Sequence, residues 1–114
     1  MSRPLIYIAS PYSHPDPQVR IQRFEDVCYY VGELMCGGKH VFSPIAHCHP
    51  IQVVHDLPCD WEYWKETCIA YLSCCYKIIV LQLDGWDSSV GIAAEIEIAK
   101  ESGLEIEYVI PYWS

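Results

Sequence analysis

From Leu81 to Glu95 the chain reads Leu81-Gln82-Leu83-Asp84-Gly85-Trp86-Asp87-Ser88-Ser89-Val90-Gly91-Ile92-Ala93-Ala94-Glu95. An apolar run meets a polar, glycine-containing turn, and Ser88 or Ser89 opens a helix that carries Glu95 about two turns in. A strand-to-helix turn of this kind aims backbone N–H groups at whatever lies above the strand end, a setting that suits an anion. A carboxylate beside it can attack an electrophilic carbon. Binding and chemistry therefore share one short segment. A glutamate on an amphipathic helix is usually a solvated surface group, the expectation for Glu97 and Glu101. Glu95 differs, because Ile98 and Ala99 stand where a helical ion-pair partner would be.

Serines Ser10, Ser13, Ser88 and Ser89 follow apolar runs, where hydroxyls serve as turn formers or N-caps and, gathered together, can hold a phosphate or a sugar hydroxyl. Neither a Walker motif nor a Gly-x-Gly-x-x-Gly fingerprint occurs, which disfavours an NTPase or a dinucleotide enzyme. His47-Cys48-His49 with His55, Cys59 and Asp60 has ligand-type side chains but lacks the cleaner pairs of zinc sites. The weighed reading is a substrate-lining loop, with a metal-binding protein built on His47, His49, His55 and Cys59 as the alternative. Trp61, Tyr63 and Trp64 read as core, with one ring available to stack on a base.

These groups need a scaffold. Leu5 to Ala9 is a short apolar strand stopped by Ser10-Pro11. Asp16 is an N-cap with Pro17 at the first helical position. Val19, Phe24, Val27, Cys28, Val31, Leu34 and Met35 then recur at helical spacing, ended by Gly37-Gly38. His40 to Ser43 is a second strand, followed by a Pro- and His-rich loop from Ile45 to about Pro58. A helix from Asp60 places Trp61, Trp64, Cys68, Leu72 and Cys75 on one stripe. Ile78 to Leu83 is the third strand, Ser89 to about Glu101 the third helix, and Glu105 to Pro111 the last strand. Cys74-Cys75 are expected to pack at the end of the second helix. Strict β-α alternation predicts a parallel sheet covered on both faces. Right-handed crossovers give the order 2-1-3-4, a flavodoxin-like three-layer sandwich of four (to five) strands. Ligands in such sheets bind above the carboxyl ends of the strands at the switch point. There the loops Ser10 to Asp16 and Asp84 to Ser89 meet.

Composition bounds the rest. The 114 residues suffice for one domain, 1–114, and half are apolar. The net charge of −8, with seven basic residues, argues against a nucleic-acid polymer as partner but leaves room for a small phosphorylated ligand. No apolar run reaches membrane-spanning length and no secretory signal is visible, so a cytoplasmic protein without membrane association is expected. Seven cysteines then read as free thiols.

Ile6-Tyr7-Ile8-Ala9-Ser10-Pro11-Tyr12, Val41-Phe42-Ser43-Pro44-Ile45 and Asp84-Gly85-Trp86-x-x-Ser89-x-Gly91-x-x-x-Glu95 together resemble the nucleoside 2-deoxyribosyltransferase superfamily. The nearest part of it is a small bacterial and phage branch, and the similarity covers almost the whole chain. The resemblance implies a flavodoxin-like fold assembled as a homodimer or homotetramer. It also implies cleavage of the N-glycosidic bond of a nucleoside or nucleoside 5′-monophosphate, with no cofactor. Glu95 would attack C1′ and form a glycosyl ester, resolved by water or a second base. Tyr7 would position the carboxylate. Ser10, Pro11, Tyr12 and Ser13 fall in the first substrate loop. Asp84 would join Glu95 and Tyr7 as a catalytic residue and contact the sugar or phosphate with Ser89, and Trp86, Ser88 and Gly91 would bind the substrate. Serine at position 89 matches the monophosphate hydrolases, which makes Arg20 and Arg23 the phosphate cations. The segment from Ser43 through His47 to His49 would contact the base. In one departure, Cys68 stands where the family has an aspartate that assists the leaving base, with Asp60, Glu62, Glu66, His47 or His49 as substitutes. That departure keeps a non-catalytic nucleotide-sensing module open as the second reading.

Overall fold

A parallel four-stranded sheet in the order β2-β1-β3-β4 forms the centre of the molecule. The computed structural model describes residues 4–113, so Arg3, one of the seven basic residues, lies outside them. In chain order the elements are β1 (Leu5–Ala9), α1 (Pro17–Cys36), β2 (His40–Phe42), α2 (Pro44–His55), α3 (Trp61–Leu72), β3 (Cys75–Leu81), α4 (Val90–Glu101) and β4 (Glu105–Val109). The expected flavodoxin-like order is the observed one.

Alternation along β1 divides the core. Tyr7 and Ala9 point to one face, where they pack with Cys68 and Leu72 of α3 and Ile92 and Ala99 of α4. Ile6 and Ile8 point to the other and meet Val27 and Val31 of α1. Period-two alternation in a strand buried on both sides produces these two layers. The register aligns Tyr7 with Phe42 on β2 and with Ile78 on β3. Tyr7 is therefore central in the sheet and fully buried.

Two start signals act as expected. Asp16 accepts from the Gln18 N–H with Pro17 at the first helical position, and Ser89, not Ser88, caps α4 by accepting from the Ile92 N–H at 3.2 Å. Three expectations need correction. The Pro- and His-rich stretch is not a loop but the helix α2. Ser43 caps it, its hydroxyl accepting from the Ala46 N–H at 3.1 Å, and Pro44 fills the first helical position. Pro50 sits inside this helix. Cys75 belongs to β3 rather than to a helical stripe, and Cys74 is exposed instead of packed. Tyr63 is 48% exposed, so only Trp61 and Trp64 of the aromatic trio pack against the core.

Replacing Ser43 by Ala removes the α2 cap and is expected to cost about 1 kcal/mol, read as a lower urea midpoint with an unchanged slope. An unchanged midpoint would show that Pro44 alone fixes the helix start. Among the described residues, no helix is long and apolar enough to cross a membrane.

Candidate active site

The carboxyl ends of β1 and β3 lie side by side, and the segments leaving them diverge around a cavity of about 520 Å³. Ser10 to His14 form one wall, Gly85 with Ser88 to Ile92 another, and α2 contributes Ile45, Cys48, His49 and Gln52. Trp61, Trp64 and Cys68 of α3 complete it, and Glu95 is its buried acid. The position is the one that the switch-point rule assigns to ligands.

Glu95 is only 5% exposed. Tyr7 donates its hydroxyl hydrogen to Oε2, and no cation pairs with the carboxylate among the described residues. Burial pushes the Glu95 pKa up to about 8, with the Tyr7 bond pulling the other way. The Tyr7 pKa is raised well above its ordinary value, first by burial and then by the neighbouring Glu95, so it stays a donor. One carboxyl oxygen is thus fixed and the other, Oε1, accepts nothing from the described residues. That is the arrangement of an oriented nucleophile or acid–base group in a buried site.

Cys68 lies against the same pair. Burial, more than any neighbour, drives its thiol to about 12. A thiol so high keeps its proton at neutral pH, which makes it a poor acid or base there.

The expected serines separate by what their hydroxyls already do. Ser89 caps α4, Ser88 donates to the Gly85 carbonyl at 3.2 Å, and Ser13 donates to the Cys59 carbonyl at 2.7 Å. Ser10 is 6% exposed, and its Oγ is the buried side-chain polar atom left without a partner among the described residues. An orphan hydroxyl in a cavity wall costs stability unless something else satisfies it. Ser10 is therefore the serine of the four whose hydroxyl is uncommitted among the described residues. Pro11 and Tyr12 line the wall with it, as does Gly91, where an added Cβ would sit 3.4 Å from the Trp61 ring.

Arg23 joins the two loops. Its Nη1 donates to the carbonyls of Ser13 (3.0 Å) and Tyr12 (3.4 Å), and its Nη2 to that of Asp84 (3.1 Å). Gly85 makes room for this clamp: its φ is +91°, and a Cβ there would fall 2.5 Å from Nη2. Gly85→Ala combines backbone strain with a displaced guanidinium and is expected to cost about 1–2 kcal/mol of stability. The check is a urea titration beside Gly38→Ala, also at positive φ (+85°) but with open space around the added methyl. Equal losses would deny the clamp.

Other expected site residues lie outside the cavity wall. The Asp84 side chain is exposed beside Trp113 and Gln18, so only its carbonyl serves the site. Arg20 donates to the His14 carbonyl. Ser43 is engaged as a cap, and Trp86 packs on the core with its ring 5.9 Å from that of Tyr108. His47 is exposed, with its ring 5.7 Å from Phe42. His49, by contrast, lines the cavity and stacks on Phe24. The helix thus turns the two histidines apart. Among the described residues, no three His, Cys, Asp or Glu side chains converge in a way that could hold a metal ion. Glu97 and Glu101 are exposed, as expected of solvated groups.

Gln52 and Cys48 are wall residues that the reading of α2 as a loop concealed. Once the segment is a helix, Ile45, Cys48, His49 and Gln52 follow the i, i+3, i+4, i+7 pattern of one face.

No curated protein matches the chain. Residues 4–109, which take in every element of the fold and the whole cavity wall, match the family described as Domain of unknown function (DUF1937), and the chain belongs to that family.

Proposed function

We propose that the protein cleaves the N-glycosidic bond of a nucleoside 5′-monophosphate or nucleoside, and that it is a relative of the nucleoside 2-deoxyribosyltransferases. One observation carries the reading: a buried glutamate at the switch-point cavity, one oxygen held by Tyr7 and no cation beside it. In the ionised form Oε1 attacks C1′ of the sugar. The C1′–N bond breaks, its electron pair leaves with the base, and a proton from cavity water neutralises the base because Cys68 retains its own. Water then attacks C1′ of the ester, freeing Glu95 as its carboxylate and leaving a hydroxyl on C1′. The proton this water sheds neutralises the hydroxide left when the base was protonated. A carboxylate nucleophile divides one difficult displacement into two easier ones through an oxocarbenium-like state. Ser10 Oγ, the first-turn N–H groups of α4 and the charge of Arg23 supply contacts for sugar hydroxyls or phosphate.

Incubation of the wild-type protein with the common nucleotides and nucleosides, followed by chromatography, is expected to show free base from at least one of them. Because the nucleophile must be ionised, kcat/KM for that substrate should rise close to tenfold per pH unit below the Glu95 pKa and level off above about 8. No base from any substrate, or a profile flat from pH 6 to 9, would overturn the assignment.

Cys68 favours a second reading, a nucleotide sensor using the same cavity, since a thiol raised by burial is a poor partner for a leaving base. Nucleotide binding by calorimetry with no base released over hours would select it.

A further inference from the structure

One wall of the cavity carries a hydrogen-bonded chain whose proton order can be deduced. Gln52 Nε2 donates to the Leu57 carbonyl at 2.8 Å, which turns its Oε1 toward the Tyr12 hydroxyl, 3.0 Å away. A phenol has one hydrogen to give, and an amide oxygen only accepts. Tyr12 therefore donates to Gln52. In its 2.5 Å contact with His49 Nδ1 the Tyr12 oxygen must accept, so Nδ1 bears the ring hydrogen. In a neutral imidazole the other nitrogen is then an acceptor. Burial, and after it the charge of Arg20, lower the His49 pKa and keep the ring neutral. Phe24 fixes the ring plane by stacking at 4.3 Å and 29°. Nε2 finds no donor among the described residues, although His49 lines the cavity.

We propose that the ordered chain Leu57 carbonyl–Gln52–Tyr12–His49 makes His49 Nε2 a fixed acceptor in the cavity, selecting ligands that present an N–H donor to it. On the nucleotide reading, which this inference rests on, the donor is an amino or lactam N–H of the base. Tyr12 and Gln52 act as positioning residues, because they determine which ring nitrogen is free. An acceptor-only group discriminates by leaving itself unpaired when the donor is missing.

Two measurements test this. The first needs no ligand: nitrogen-15 NMR of the His49 ring is expected to show hydrogen on Nδ1 in the wild type, shifting toward Nε2 in Tyr12→Phe. The second is calorimetry with 5′-monophosphates paired to differ in one N–H donor. The pairs are adenine with unsubstituted purine, cytosine with 2-pyrimidinone, uracil with N3-methyluracil, hypoxanthine with N1-methylhypoxanthine, and guanine with hypoxanthine. For the base the cavity accepts, loss of the donor should weaken binding about tenfold in the wild type, and His49→Phe should bind both members equally. Hydrogen on Nε2 in the wild type would overturn the proposal. So would a bound pair that the wild type does not discriminate, or discrimination that persists in His49→Phe. Silence across the whole panel would instead sink the nucleotide reading and base selection with it, leaving the NMR signal to report on the ordered chain alone.

Discussion

Glu95→Ala is expected to lower kcat/KM for base release by about 10⁴-fold or more, the scale on which enzymes lose activity when a nucleophile is removed. The substitution takes away the group proposed to bond C1′, and nothing nearby can replace it. Cys68 holds its proton to about pH 12, and Tyr7 is raised well above its ordinary range, so neither offers an anion near neutral pH. Asp60 and Glu62 line the outer wall at the start of α3 and are exposed. Glu95→Asp is the informative companion. It keeps the charge but draws the carboxylate back by one methylene from both Tyr7 and C1′. Misplacement on that scale costs about 10²-fold. Tyr7→Phe should reduce the rate at neutral pH and move the rise in the pH profile upward, because the Tyr7 bond is what holds the Glu95 pKa down. The order Ala below Asp below wild type, with native circular dichroism throughout, is the expected result. Activity of Glu95→Ala within tenfold of wild type would remove the carboxylate from the mechanism.

The parts of this site that rest on local rules could be read from residue order, and the parts that rest on burial could not. Asp16-Pro17 and the segment around Ser89 announce helices because a capping side chain must satisfy free N–H groups whatever the tertiary context. Ser43-Pro44 carries the same cap-and-proline signature, but Pro50 and the histidines drew the segment toward a loop. A proline in a helix interior removes one backbone bond and crowds the preceding turn, a local cost that α2 sustains while it packs beside α1. The same error hid Gln52 and Cys48, whose place in the wall follows from helical spacing alone. Glu95 stood out by the absence of a partner at Ile98 and Ala99, and its burial agrees. The fate of the serines depended on three-dimensional neighbours. Ser13 and Ser88 meet carbonyls, whereas Ser10, at the end of the most buried strand, meets none. Arg23 was legible as a cation near the loops, but its role as a clamp between them required the positive φ of Gly85 and three converging carbonyls.

Glu95→Gln is expected to stabilise the protein, and by more as the pH rises. The folded-state pKa of Glu95, about 8, lies above the ordinary 4.5 that the unfolded chain provides. Between those values the native state holds a proton that the unfolded state has lost, so stability falls as pH increases, by about 1.4 kcal/mol per unit. The contribution is fully present below pH 4.5 and fully lost once the pH has risen through about 8. Glutamine has nearly the same shape, can accept the Tyr7 hydrogen bond and never ionises, so its variant lacks this slope. The two proteins should be equally stable near pH 4 and differ by roughly 3–5 kcal/mol at pH 8. Urea denaturation at pH 4.5, 6.5 and 8 would measure the divergence, with Glu97→Gln, an exposed position on the same helix, as the control that shows none. A wild type that gains on Glu95→Gln between pH 5 and 8 would mean that the carboxylate is stabilised by a positive charge, contrary to the cation-free pocket. The expected sign ties stability to chemistry. At neutral pH burial favours the protonated form, and the protein keeps a group whose charging weakens its own fold. A glutamine would fold better there, so stability alone does not account for the carboxylate, which is what the proposed role as nucleophile requires.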